Sequence, residues 1–179
     1  MQKAAPYSSS RTLHLILTSM SIALVFVATF FIRVPTTPSG GLVHLGTAMM
    51  FIIALVLGPK KGAASGAIGM GLFDIVSNYT PWAPGTIIAR GLQGYIVGKI
   101  AWSGGRQGDS ILFNIIGMVL SMPVMLGVYY VHEAILLSSW IAPMKSIPGN
   151  IAQNLVGLAI AIPVAIALKK TPFFKKYQA

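Results

Sequence analysis

The sequence predicts an all-α integral membrane protein, a six-transmembrane-helix bundle with both termini on the cytoplasmic side (N-in/C-in). Three observations predict it. Of the 179 residues, 55% are hydrophobic and 9% charged, and the mean hydropathy is +0.75. Soluble domains carry about 25% charged residues, and so few charges cannot cover a surface that faces water. Apolar runs recur along the chain, punctuated by Gly, Pro and basic residues. A hydrocarbon core of about 30 Å asks for roughly 20 helical residues at about 1.5 Å each. The 13 Lys and Arg residues are also unevenly placed once the runs are numbered.

The first run, Thr12–Ile32, spans easily and stops at Arg33-Val34-Pro35. It exceeds the roughly 7–15 residue core of a cleavable signal, and no small-x-small site follows, so the sequence predicts that it is retained. The loop Thr36-Thr37-Pro38-Ser39-Gly40-Gly41 breaks any helix. The second run, His44–Leu57, ends at Gly58-Pro59-Lys60-Lys61, and the third, Gly62–Ser77, is short and glycine-rich. A turn-rich stretch, Asn78 to Pro84, precedes the fourth span, Gly85–Trp102. The fifth, Ser110–Leu136, contains Pro123, which predicts a kink. The sixth, Gly149–Leu168, runs into a basic tail, Lys169-Lys170 and Lys175-Lys176. One domain, 1–179, accommodates all six.

With the N-terminus inside, Lys3, Arg11, Lys60, Lys61, Lys99, Arg106, Lys169, Lys170, Lys175 and Lys176 fall on the cytoplasmic side. Arg33 and Lys145 fall outside, and Arg90 lies within a span. This is the positive-inside pattern. The net charge of +10 therefore reports topology, and no nucleic-acid partner is expected. Absence of cysteine removes disulfides, thiolate nucleophiles and cysteine metal sites.

Small residues recur at helix-packing spacing: Gly62/Gly66, Gly94/Gly98 and Ser19/Ala23. In lipid, such pairs let helix backbones approach closely. The two glycine pairs read as packing inside the bundle; Ser19/Ala23 serves equally as internal packing or as a docking groove for another protein.

Polar residues inside the spans mark the candidate site. A central membrane charge costs at least about 2.5–3.5 kcal/mol on insertion scales, so Arg90 must face a polar interior or a partner. Asp74 near the outer end of span three has Asn78 at i+4. Arg90 and Asp74 either pair structurally or line a pocket for a polar solute. Asn150, Gln153 and Asn154 share one helical face and must turn inward, toward loop backbones or a pocket. Tyr79, Trp82, His44 and Glu133 fall in the same outer half. Rings with a few amides suit a flat, neutral or zwitterionic ring compound. The expected pocket lies there, roofed by the Pro35–Val43 loop.

Catalytic signatures fail. His132-Glu133-Ala134-Ile135-Leu136 lacks the second histidine of a zinc helix, and Gly58-Pro59-Lys60-Lys61-Gly62 is no phosphate loop. There is no Gly-x-Ser-x-Gly elbow, and the acidic residues are Asp74, Asp109 and Glu133 alone. The chain does not read as an enzyme, and no cofactor or metal is called for.

The stretch Gly40–Ala101 carries His44-Leu45-Gly46, Gly58-Pro59-x-x-Gly62, Gly69-x-Gly71-x-x-x-Asp74, Ala83-Pro84-Gly85-Thr86 and Arg90-Gly91-x-x-Gly94. In this order and spacing the set resembles the substrate-binding S components of energy-coupling factor (ECF) transporters, bacterial vitamin importers. The likeness is nearest to the hydroxymethylpyrimidine and pyridoxine-type branch, although Thr47 stands where many members carry an acidic residue. The resemblance implies a subunit of the bacterial plasma membrane that captures a vitamin-like ligand outside. It implies a transmembrane coupling subunit and two cytoplasmic ATPase subunits as partners, the latter supplying ATP hydrolysis. It further implies that Ser19-x-x-x-Ala23 stands in for an Ala-x-x-x-Ala docking groove. Two alternatives carry weight beside it: a stand-alone secondary transporter or channel for a small polar solute, and a structural subunit that binds no small molecule.

Overall fold

A computed structural model describes residues 6–35 and 42–174. The expected roof segment Thr36–Gly41, and the tail residues Lys3, Lys175 and Lys176, lie outside the described residues. The helices are α1 (Pro6–Phe31), α2 (Gly46–Leu57), α3 (Pro59–Ala64), α4 (Gly71–Val76), α5 (Ala83–Ala101), α6 (Ile111–Leu136) and α7 (Ile147–Lys169). A π-helical stretch, Ser65–Met70, joins α3 to α4 without a break. By length and composition, Arg11–Phe31, Ile111–Leu136 and Ala142–Lys169 can each cross a membrane; α2 is apolar but shorter.

Helix α2 is the axis of the molecule. It is apolar on every face, and Met50, Phe51, Ala54, Leu55 and Val56 are almost completely buried. The outer helices bury one stripe each. On α1 the stripe is Ser21, Val25 and Thr29, four residues apart, and the two hydroxyls donate to the carbonyls of Leu17 and Val25 one turn back. The opposite face exposes Leu15, Ile16, Met20, Leu24 and Val27, and α6 and α7 expose similar apolar rows. Large exposed apolar surface on several helices suits lipid.

Glycine sets the helix spacing. A Cβ on Gly94 would lie 2.3 Å from the Gly62 carbonyl oxygen, and one on Gly98 would lie 2.5 Å from Pro59 Cα. Gly66 packs against Met50 and the Arg90 carbonyl. Both glycine pairs thus serve internal packing, as the sequence suggested, and α3 lies directly on α5.

Several boundaries differ from expectation. Two three-residue strands, β1 (Arg33–Pro35) and β2 (Leu42–His44), pair antiparallel with Arg33 opposite His44. Strands so short leave no readable alternation, so the second run begins as a strand and turns helical only at Gly46. Lys60 and Lys61 are not a connecting loop. They occupy the first turn of α3, because Gly58, at φ 89°, reverses the chain in a single residue. Lys61 is buried, with Nζ 3.2 Å from His14 Nδ1 of α1. α7 begins at Ile147, after a 3-10 turn at Ala142–Ser146.

Candidate functional site

Most of the expected polar residues gather at the end of the molecule that carries the β-hairpin, where α2 and α5 begin, α4 and α6 end and α7 starts. Arg90 is the organiser. It is 2% exposed, and its guanidinium carries donors only. Its Nε donates to Tyr129 Oη at 3.2 Å and one terminal nitrogen donates to Gln93 Oε1 at 2.9 Å. The guanidinium also lies 5.3 Å from the centre of the Tyr129 ring.

Two directed chains of hydrogen bonds leave Arg90. In one, Gln93 Nε2 donates to Asn154 Oδ1 at 2.6 Å, and Asn154 Nδ2 donates to the Asn150 carbonyl at 2.7 Å. In the other, the Tyr129 hydroxyl donates to Thr86 Oγ1 at 3.1 Å, and Thr86 stands beside the Asp74 side chain. Arg90 and Asp74, which the sequence read as an ion pair or as pocket walls, form no direct ion pair among the described residues; two hydroxyls, Tyr129 and Thr86, stand between them. Thr86 accepts from Tyr129 and so keeps its own proton to give to a neighbour such as Asp74. Such chains reinforce themselves, since each donor polarises the next.

The α7 amides are also engaged between helices. Gln153 Nε2 donates to Thr47 Oγ1 at 2.5 Å and lies 3.4 Å from His44 Nε2. Gln153 and Asn154 are buried, while Asn150 is half-buried and contributes its backbone carbonyl. Thr47 thus takes a place in the network as an acceptor. Loss of water around the His44 ring, and then the positive charge of Arg90, hold its pKa down at about 3, so the imidazole is neutral.

An aromatic wall stands beside this network. Phe73 is stacked on Tyr79 at 6.1 Å, Tyr79 meets Trp82 edge-on at 6.2 Å, and His44 tilts against Phe73 at 6.2 Å. Glu133, at the end of α6, accepts from Ser146 at 2.8 Å and lies near Trp82. Asn78 does not share a face with Asp74. α4 ends at Val76, and Asn78 turns out to solvent at φ 65°, a left-handed conformation that asparagine tolerates.

Three buried polar atoms at this end have no hydrogen-bond partner: His44 Nδ1, Asp74 Oδ2 and Ser77 Oγ. Among the described residues, no group of three or more His, Cys, Asp and Glu side chains is placed to hold a metal ion. The sequence reading missed Tyr129, Thr86 and Ser77 as site residues. Thr86, Arg90 and Gln93, at spacings of four and three, form a polar stripe on α5 that was open to detection; Tyr129 left no such signal.

Ser19 and Ala23 are both exposed, on the face of α1 turned away from the rest of the chain.

A family model described as "ECF-type riboflavin transporter, S component" matches residues 9–170. The chain is 29% identical over 146 residues to the uncharacterized protein in the gap 3′ region of Pyrococcus woesei, covering 82% of this chain and 95% of that protein. It is 26% identical over 111 residues to the UPF0397 protein of Streptococcus agalactiae serotype Ia, covering 59% of this chain. It spans 60% of that streptococcal relative's length.

Proposed function

The chain belongs to the ECF-type riboflavin transporter S component family, and from that premise we propose that it captures a flat ring-type vitamin or precursor outside the cell and passes it inward. A multi-pass membrane transport subunit, rather than an enzyme, is what membership entails. The finer reading has three parts. The chain crosses the bilayer six times, N-in/C-in, with α3, the π stretch and α4 acting as one span. It captures ligand at the hairpin end, which faces outward. It works with a transmembrane coupling subunit docked on the Ser19/Ala23 face of α1, and with two ATPase subunits.

The observation that carries this reading is the buried, unpartnered Asp74 Oδ2, beside the arginine-centred network and the Phe73–Tyr79–Trp82 wall. A membrane bundle gains nothing from a buried carboxylate oxygen without a partner, since such a group costs about 1–3 kcal/mol or more. A bound polar ring offsets that cost, with the aromatic wall covering its face. Arg90 and Gln93 hold the site in register across α4, α5, α6 and α7. Gln153 and Asn154 act chiefly through neighbouring helices, whereas Asn150, Tyr79 and Trp82 have surface left for the ligand.

The test is calorimetry on the protein in lipid nanodiscs, with riboflavin, hydroxymethylpyrimidine and pyridoxine offered separately. The first is the ring in the family's description; the other two are the rings that the sequence resemblance implies. Saturable binding of one of them is expected. Absence of binding by all three sinks the capture reading. Uptake that follows a proton gradient without ATPase partners would favour a stand-alone transporter.

A further inference from the structure

Resting on the capture reading, we infer that Asp74, Ser77 and His44 read the hydrogen-bonding edge of the ligand, and that this edge is a ring donor flanked by two acceptors. The three side chains supply the unpartnered atoms of the hairpin end. Asp74 is 8% exposed and Phe73 is 2% exposed. Asp74 and Ser77 are three residues apart, and so neighbours on the α4 surface. Phe73 lies one turn before Ser77, and its ring meets both His44 and Tyr79.

The hydrogen bonds already made fix what each free atom offers. Gln153 Nε2 can only donate, so His44 Nε2, 3.4 Å away, takes the acceptor role. A neutral imidazole then carries its proton on Nδ1, which makes the unpartnered atom a donor. Asp74 Oδ2 has no partner, and a carboxylate oxygen only accepts; Thr86 lies beside the same carboxyl group. Ser77 Oγ donates or accepts. An acceptor on α4, with the Ser77 hydroxyl three residues on and the His44 donor on β2, complements an edge of the form acceptor–donor–acceptor. Two ring classes carry one: a cyclic imide, with N–H between two carbonyls, and an aminopyrimidine, with its amine between a ring nitrogen and a hydroxymethyl group. Pyridoxine has no ring N–H or amine at that place.

Thr86 also bears on the nearest isosteric change. In Asp74→Asn, an amide oxygen turned to the neighbouring Thr86 hydroxyl would place the NH2 group toward the ligand. An acceptor becomes a donor with no change of shape.

The experiment compares each parent ring with its analogue lacking the central donor, on unaltered protein in nanodiscs: riboflavin against 3-methylriboflavin, and hydroxymethylpyrimidine against the same ring without its amine. For whichever parent binds, loss of the donor is expected to weaken binding about 30-fold. In Asp74→Asn the parent is expected to weaken by a similar factor, and the parent–analogue difference to vanish. Ser77→Ala should cost about 5-fold or more. Equal affinity of parent and analogue for the unaltered protein overturns the edge assignment and leaves capture standing. So does pyridoxine binding tighter than both other rings. Failure of every ring removes the capture reading and this inference with it. Because the analogue comparison uses the native chain, it holds whether or not either variant folds.

Discussion

Two hydroxyls, Tyr129 and Thr86, decide how a buried arginine and a buried aspartate coexist. Arg90 Nε–H has Tyr129 as its partner, and Thr86 receives the Tyr129 proton. Tyr129→Phe therefore strands one donor and reorients another, each worth about 1–3 kcal/mol when buried. A lower Tm and ligand binding about tenfold weaker are expected from thermal unfolding and calorimetry on one preparation. Leu155→Ile, on an exposed site beside Asn154, should change neither. His44 makes a second prediction. Its folded-state pKa of about 3 lies below the ordinary value of 6.5, so the unfolded chain binds a proton that the folded chain refuses. The stability held by neutral His44 is complete above pH 6.5 and is lost as pH falls toward 3. Tm should decline over that window, and His44→Gln should flatten the decline. An identical pH profile in the variant would show that the imidazole does not carry the effect.

At the scale of the helix, close approach matters more than propensity. α3 and α5 meet through Gly62 and Gly94, and the obstacle to a Cβ at Gly94 is backbone, which cannot swing aside. Gly94→Ala should destabilise by about 1–3 kcal/mol despite the better helix former. Gly127→Ala on α6, where nothing lies within 4 Å, should be neutral or slightly stabilising. Urea or thermal unfolding of the pair measures the difference. On α1 the same logic applies outward. Ser19 and Ala23 are small and exposed, and the helix buries its Ser21–Val25–Thr29 stripe instead. Ala23→Leu should leave ligand affinity of the isolated protein intact and abolish uptake by cells that supply the proposed partners. Normal uptake would make the face ordinary lipid-exposed surface.

For the whole molecule, the lack of cysteine makes topology directly testable. Single cysteines at Thr80 and Ser146 should react with an impermeant reagent added outside, and cysteines at Lys60 and Ser103 should react only after permeabilisation. Outside labelling of Ser103 would overturn the six-span, N-in/C-in arrangement. Ser65 makes a poor probe, because the π stretch buries it completely and it would stay silent from either side.

The sequence by itself determined the helical class, the approximate ends of most helices and the end of the molecule that concentrates polar residues. Those are local signals: apolar runs, Gly and Pro stops and basic ends each lie within a few residues of what they mark. It also foretold that Arg90 and the α7 amides face inward, since lipid excludes the alternative. Tertiary structure alone decided the rest. The partners of the network lie far apart in the chain, 39 residues for Arg90–Tyr129, 61 for Gln93–Asn154 and 106 for Thr47–Gln153. No periodicity links such positions; they meet because glycine contacts set the depth and rotation of each helix. The same packing uses up the Gln153 and Asn154 amides between helices and leaves Asp74 Oδ2 with no partner.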